Sequence, residues 1–216
     1  MKMRPDFMLY GALLCAGADP FAVAAAPSGQ VDACVEVYEL GQASANAFKT
    51  AFDAASGAAR DGMLLQLRSG TLAGGVRTVA VGHRPCLMGK RTYVASTKDY
   101  VYPTSFEAGA KGHFYPSAFA KTAMGCEMVL EMSPGNKDGT FAVNAGITDV
   151  ERLSPKRDDD LKPDAKGQAV KPVFNTSEIK TKVEMTAGVS QLLGTYAPYK
   201  DNTAMRLVIL TVYPGQ

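Results

Sequence analysis

The run Met205-Arg206-Leu207-Val208-Ile209-Leu210-Thr211-Val212-Tyr213 constrains the fold more than any other part of the chain, being almost continuously apolar and rich in β-branched residues. A strand of that kind leaves water only when both of its faces are covered, so it is expected to sit centrally in a layered structure. The other strand-like segments alternate instead. Val31, Ala33, Val35 and Val37 share one face of Val31–Leu40, as in a half-buried strand. Between Phe119 and Met132 the residues Met124, Cys126, Met128, Leu130 and Met132 share one face, with Lys121, Glu127 and Glu131 on the other. Ser133-Pro134-Gly135-Asn136-Lys137-Asp138-Gly139 then reads as a turn into Thr140–Val150, where Phe141, Val143, Ala145 and Ile147 alternate with small or polar residues, so the two segments predict a hairpin.

The period changes in one place only. From Gln42 to Ser56 the chain is Ala-rich and Phe48 and Phe52 fall four apart, which predicts an amphipathic helix. A second short helix is expected to be capped by Asp61, to carry Met63, Leu64 and Leu67, and to end at Gly70. Leu72–Val81 and Lys90–Tyr102 read as a hairpin-like pair around Gly82-His83-Arg84-Pro85, and the aromatic stretch that follows as a long crossover loop. Val173–Met185 and Val189–Tyr196 read as a second hairpin turning at Ala187-Gly188. Glu151–Lys171 is polar, with Pro155, Pro163 and the run Arg157-Asp158-Asp159-Asp160, and reads as a solvated loop. At 216 residues, with 21 Gly and 12 Pro, this is one α+β domain, mostly β, with one or two short helices near the N-terminus of the mature chain.

The first residues follow a different logic. Lys2 and Arg4 precede the apolar run Phe7–Ala16, and small residues lead through Ala22-Val23-Ala24-Ala25-Ala26 to Pro27, the order of a secretory signal peptide with cleavage after Ala26. The run is too short to span a bilayer, so any membrane association is not by a transmembrane helix, and the mature chain is expected to be soluble or part of a β-barrel. Cys34, Cys86 and Cys126 then remain. Cys126 lies on the apolar face of its strand, whereas Cys34 shares a face with Asp32 and Glu36, which makes Cys126 the expected buried thiol.

Candidate chemistry is sparse. A hydrolytic triad would need His83 or His113 beside a nucleophile and a carboxylate, and no G-x-S-x-G elbow accompanies either. His83-x-x-Cys86 offers two metal-ligand types without a second pair, and Asp158-Asp159-Asp160 is interleaved with Lys and Arg as a solvated run is. No catalytic, cofactor-binding or metal-binding residue is assigned, and no cofactor. A net charge of +2 gives no electrostatic case for nucleic acid. Tyr100, Tyr102, Phe106, Phe114 and Tyr115, around Pro103 and Pro116, form an aromatic group suited to packing or to a ligand platform.

The order of the strand motifs resembles the homology domain of secretins. It runs through Val35-Glu36-Val37-Tyr38-Glu39-Leu40, then Val101-Tyr102-Pro103-Thr104-Ser105-Phe106. It continues through Gly125-Cys126-Glu127-Met128-Val129-Leu130-Glu131-Met132-Ser133-Pro134 and Asp138-Gly139. Pro172-Val173-Phe174, Thr181-x-Val183, Gly188, Leu193-Gly194 and the closing Leu207–Val212 follow, so the likeness covers roughly residues 31 to 213. Secretins are the multimeric outer-membrane channels of type II and type III secretion and type IV pilus systems. With the leader read at 1–26 and the polar loop near 151–171 read as flexible, the resemblance implies a secretin-like antiparallel domain at 27–216. It implies a non-enzymatic exported protein of the periplasm or outer membrane, a structural or accessory component of a secretion or pilus system. The partners it implies are copies of the same chain or a secretin-type envelope complex. The alternative is an exported ligand-binding module or enzyme using the aromatic segment 100–116.

Overall fold

The computed structural model describes residues 29–110, 113–154, 161–164, 168–198 and 203–215. The leader read at 1–26 and the acidic run Asp158–Asp160 lie outside the described residues. The fold is mostly β with two helices, in the order β1 (Gln30–Gly41), α1 (Gln42–Ala54), α2 (Gly57–Arg68), β2 (Arg77–Leu87), β3 (Arg91–Ala108), β4 (Phe114–Pro134), β5 (Thr140–Ser154), β6 (Val173–Thr186), β7 (Gln191–Tyr196) and β8 (Ala204–Pro214). The strands form two four-stranded sheets, in the orders β2-β1-β8-β7 and β3-β4-β5-β6, and every pairing is antiparallel.

β8 lies inside its sheet, and its two faces meet different layers. Val208, Leu210 and Val212 join Val31, Ala33, Val35 and Val37 in a core shared with Cys126, Met128, Leu130, Met132, Val143 and Ile147 of the second sheet. Leu207 and Ile209 face the other way, onto Phe48, Phe52, Leu64 and Leu67 of the helices. The molecule is thus helix pair, sheet, sheet. Phe48 and Phe52 stack at 5.3 Å between centroids and are almost fully buried, each worth about 1.5–3 kcal/mol of transfer free energy. A directed contact fixes α2 as well. Arg68 donates to both carboxylate oxygens of Glu36, at 2.9 and 2.7 Å, and Tyr38 Oη donates to the same carboxylate at 2.9 Å.

Four sequence expectations are corrected. α2 starts at Gly57, after a break at Ala55 and Ser56, so Asp61 lies inside the helix and does not cap it. β2 and β3 are not a pair: β2 adds to β1, β3 adds to β4, and the link between them crosses from one sheet to the other. Gly82–Pro85 belongs to β2, whose position at the sheet edge tolerates a proline. The turn is at Met88–Lys90, where Gly89 has φ 71°. In the same way β6 pairs with β5 and β7 with β8, so Ala187-Gly188 also links the two sheets. Finally, the aromatic stretch is no crossover loop. It forms the far halves of β3 and β4, a hairpin whose strands pair from Arg91↔Glu131 out to Ala108↔Phe114.

Candidate functional site

Among the described residues, no strand pairs with either edge of the second sheet. β3 has 18 residues and β6 has 14, each pairs on one side only among the described residues, and three successive antiparallel pairings make β3 and β6 run in opposite directions. On β6, Ile179, Val183 and Met185 pack toward the first sheet while Glu178, Lys180 and Lys182 are exposed on the other face. Charges along an edge discourage indiscriminate pairing while leaving the backbone donors and acceptors in place.

Midway along, the sheet divides. β4 pairs with β5 only from Gly125↔Val150 to Pro134↔Phe141, so Phe114–Met124 pairs with β3 alone and projects as a two-stranded arm. The division falls at Gly125, whose φ of 112° suits glycine, and a Cβ there would come within 2.4 Å of the Ser96 carbonyl oxygen. The arm leans back on the end of the β5–β6 pair through aromatic contacts. Tyr100 and Tyr102 stack at 5.7 Å and meet Phe174 of β6 at 6.1 and 5.8 Å. Arg152 of β5 lies over the Tyr100 ring, 4.4 Å from its centroid, and donates to its hydroxyl. Val101, Tyr115 and Phe119 are more than half exposed on the arm.

Beneath the division lies a cavity of about 530 Å³ lined by Lys98, Met124, Asp149, Glu151, Arg152 and Arg206, among others. Its floor is a buried ion cluster. Arg206 of β8 is only 4% exposed; its guanidinium donates to Glu39 at 2.9 Å and also to Asp149 and Glu151. Arg77 of β2 donates to both oxygens of Glu39, at 2.9 and 2.6 Å, and Tyr196 Oη donates to Asp149 at 2.9 Å. Burial pushes the Glu39 carboxyl up, but the hydrogen bonds from Arg77 and Arg206 outweigh it and hold the group below its ordinary range. The Tyr196 hydroxyl is pushed up, chiefly by burial and then by the Asp149 charge. The cluster is placed to hold two sheets together: Glu39, Arg77, Tyr196 and Arg206 belong to the helix-covered sheet, Asp149 and Glu151 to the other.

The residues singled out in the sequence are scattered. His83 is exposed on β2 while Cys86, three residues on, is buried, because residues at that spacing on a strand face opposite ways, and the two are not a joint ligand pair. His113 is exposed beside the arm's turn, where Gly109 N–H donates to its carbonyl oxygen at 2.7 Å. Among the described residues no group of three His, Cys, Asp or Glu side chains is placed to hold a metal ion. Cys126 lies in the core on the face expected of it, and burial, helped by Asp149, pushes its thiol up to about 11. Cys34 is on the face of Asp32 and Glu36 but is buried too, at 2% exposure. The Arg206 cluster went unread, although two signals mark it. Arg206 is a lone cation in a strand that must be covered on both sides, and Asp149 continues the buried series Phe141, Val143, Ala145, Ile147.

No helix among the described residues is long and apolar enough to cross a membrane. No family model matches the chain, and no curated protein does. Among solved structures, it is similar to the InvG secretin-domain β-barrel of the Salmonella SPI-1 injectisome, at 11% identity and a TM-score of 0.40 over 87% of this chain and 61% of that one. It is similar to the type II secretion system secretin GspD of E. coli K12, at 12% identity and 0.38 over 85% of this chain and 47% of that one. It is likewise similar to the type IV competence pilus secretin PilQ of V. cholerae, at 12% identity and 0.38 over 85% and 60%. The chain spans between about half and three fifths of the length of these structures.

Proposed function

We propose that this chain is an exported, non-enzymatic envelope protein that assembles edge to edge with copies of itself or with a secretin-type complex, as a structural or accessory part of a protein secretion or pilus system. The observation that carries the reading is the pair of long and mutually antiparallel edges, β3 and β6, with no outer partner strand among the described residues. When β6 of one copy is laid against β3 of the next, the antiparallel alternation continues without a break. Such a junction uses two different surfaces, and repeated contacts of that kind close into a ring when the rotation between copies permits. Each junction also satisfies backbone groups that an isolated copy presents to water. The order of secretin-like motifs along residues 31 to 213 supports the same reading, and the Lys2/Arg4 and Phe7–Ala16 pattern supports export to the periplasm or outer membrane.

The test is the mass of the purified chain by light scattering, with and without detergent, together with proline at Thr181 and, separately, at Lys182. The N–H groups of adjacent strand residues point to opposite sides, so one of the two substitutions removes a bond to β5 and the other a donor on the free edge. The expected result is an oligomer, weakened by one substitution without loss of fold and by the other with loss of stability. A chain that stays monomeric at micromolar concentration in both media, without affinity for envelope partners, overturns the proposal.

A further inference from the structure

The two sheets meet mainly through aliphatic side chains such as Val35, Val208, Leu130 and Ile147, and apolar contact is non-directional. Backbone hydrogen bonds of the two links, such as Gly89 N–H to the Met132 carbonyl and Gly188 N–H to that of Val212, fix one end of the sheets, and the directed side-chain contacts between them gather at the other, at the division of the second sheet. There Arg206 reaches Asp149 and Glu151 across the gap while Glu39, itself gripped by Arg77, holds its third side. The planar fork of a guanidinium satisfies several carboxylates only within a narrow range of angles. The next residue along β5 is Arg152, which leaves the strand on the opposite face and lies over Tyr100 at the base of the arm. Contacts thus run from Arg77 through Glu39 and Arg206 to Asp149 and Glu151, and from there by the β5 backbone and Arg152 to Tyr100 and Phe174.

We propose that Arg206 is the positioning residue that sets the direction of the β3–β4 arm relative to the helix-covered sheet. Buried ion clusters of this kind add little net stability over apolar residues of similar volume, and their best-attested use is to select one arrangement among several that pack comparably well. Aliphatic contact alone holds the sheets face to face. The guanidinium selects the angle at which β5 leaves the first sheet, and the Arg152 and Tyr100 contact hands that angle to the arm.

The test is a distance distribution by pulsed electron resonance between spin labels at Lys49→Cys on α1 and Ala118→Cys on the arm, both exposed positions, in chains diluted with unlabelled protein. Labelling under native conditions avoids the buried Cys34, Cys86 and Cys126. The wild-type background is expected to give one narrow distribution. The triple replacement Arg206→Met, Asp149→Leu and Glu151→Leu is expected to keep its urea midpoint near that of the wild type while the distribution broadens roughly twofold. Arg206→Lys, which keeps the charge but not the fork, is expected to broaden it too, and decides the matter if the triple variant does not fold. An unchanged width in a folded variant overturns the proposal, because the apolar contacts would then suffice to set the arm.

Discussion

Replacing Arg206 alone by methionine is expected to be among the most damaging single substitutions in this fold. The side chain is 5% exposed, Asp149 is 3% exposed, and the guanidinium pairs with Asp149 and Glu151, whereas Glu39 keeps Arg77. Methionine fills most of the volume, so the loss is electrostatic: Asp149 keeps the Tyr196 hydroxyl but loses the guanidinium, and removing one member of a buried ion pair costs about 3–5 kcal/mol. With a urea dependence of about 2–3 kcal/mol per molar for a domain of this size, the unfolding midpoint is expected to fall by roughly 1–2 M. The effect depends on pH with a definite sign. The Glu39 carboxyl lies below its ordinary value of about 4.5 in the folded chain, against burial and because Arg77 and Arg206 hydrogen-bond to it. It therefore contributes stability above that value, which is lost as pH falls through the lower, folded one. The variant lacks one of the two groups that hold Glu39 down, so the difference between the proteins is largest near neutrality and narrows below about pH 4.5. Urea titrations at several pH values, followed by far-ultraviolet circular dichroism, measure both. An unchanged midpoint, or a difference that widens on acidification, would refute the electrostatic account of the cluster.

Other substitutions probe the division of the sheet and its surroundings. Gly125→Ala places a Cβ within 2.4 Å of a backbone oxygen at φ 112°, and is expected to cost about 1–3 kcal/mol; Gly146→Ala meets nothing within 4 Å and is expected to leave thermal unfolding nearly unchanged. Equal melting shifts for the two would contradict the reading that glycine alone fits at position 125. Cys126, pushed up to about 11 by burial and by Asp149, is expected to react slowly with a thiol reagent at pH 8 and quickly in denaturant, and fast reaction in the native protein would show the core face to be wrong. Intact mass of chain recovered from the periplasm is expected to correspond to a start near Pro27, and a full-length cytoplasmic form retaining Met1 counts against export.

Periodicity made much of this fold legible, and adjacency misled. The alternation of β1 and of β4–β5, the Phe48/Phe52 spacing of α1 and the apolar run of β8 each report burial, which is local to the residues concerned. Which strands pair is a different kind of information. Gly82–Pro85 has the composition of a turn, yet Gly82 is there because a Cβ would come within 2.3 Å of Val94 Cγ1, and Pro85 because β2 is an edge. Met88–Lys90 and Ala187-Gly188 are as short as hairpin turns but carry the chain from one sheet to the other. Pro103 and Pro116 hid the arm, since prolines argue against a central strand but are tolerated beside the bulges near Ser105. The ion cluster was hidden for another reason: its members are 39, 77, 149, 151 and 206, and only the packed sheets bring them together.

Cysteine cross-linking along the two free edges tests edge-to-edge assembly most directly. Lys180→Cys on β6 would be combined in turn with cysteine at Tyr93, Ala95, Thr97 or Asp99 on the same outer face of β3, all exposed positions that leave the core untouched. A disulfide forms only where Cα atoms approach to about 4.4–6.8 Å, so one register is expected to react and its neighbours not. The account predicts that this register yields a ladder of dimers, trimers and higher species under mild oxidation, because each copy offers one β3 and one β6. Monomer at every register, or dimers alone whichever pair is used, would contradict it.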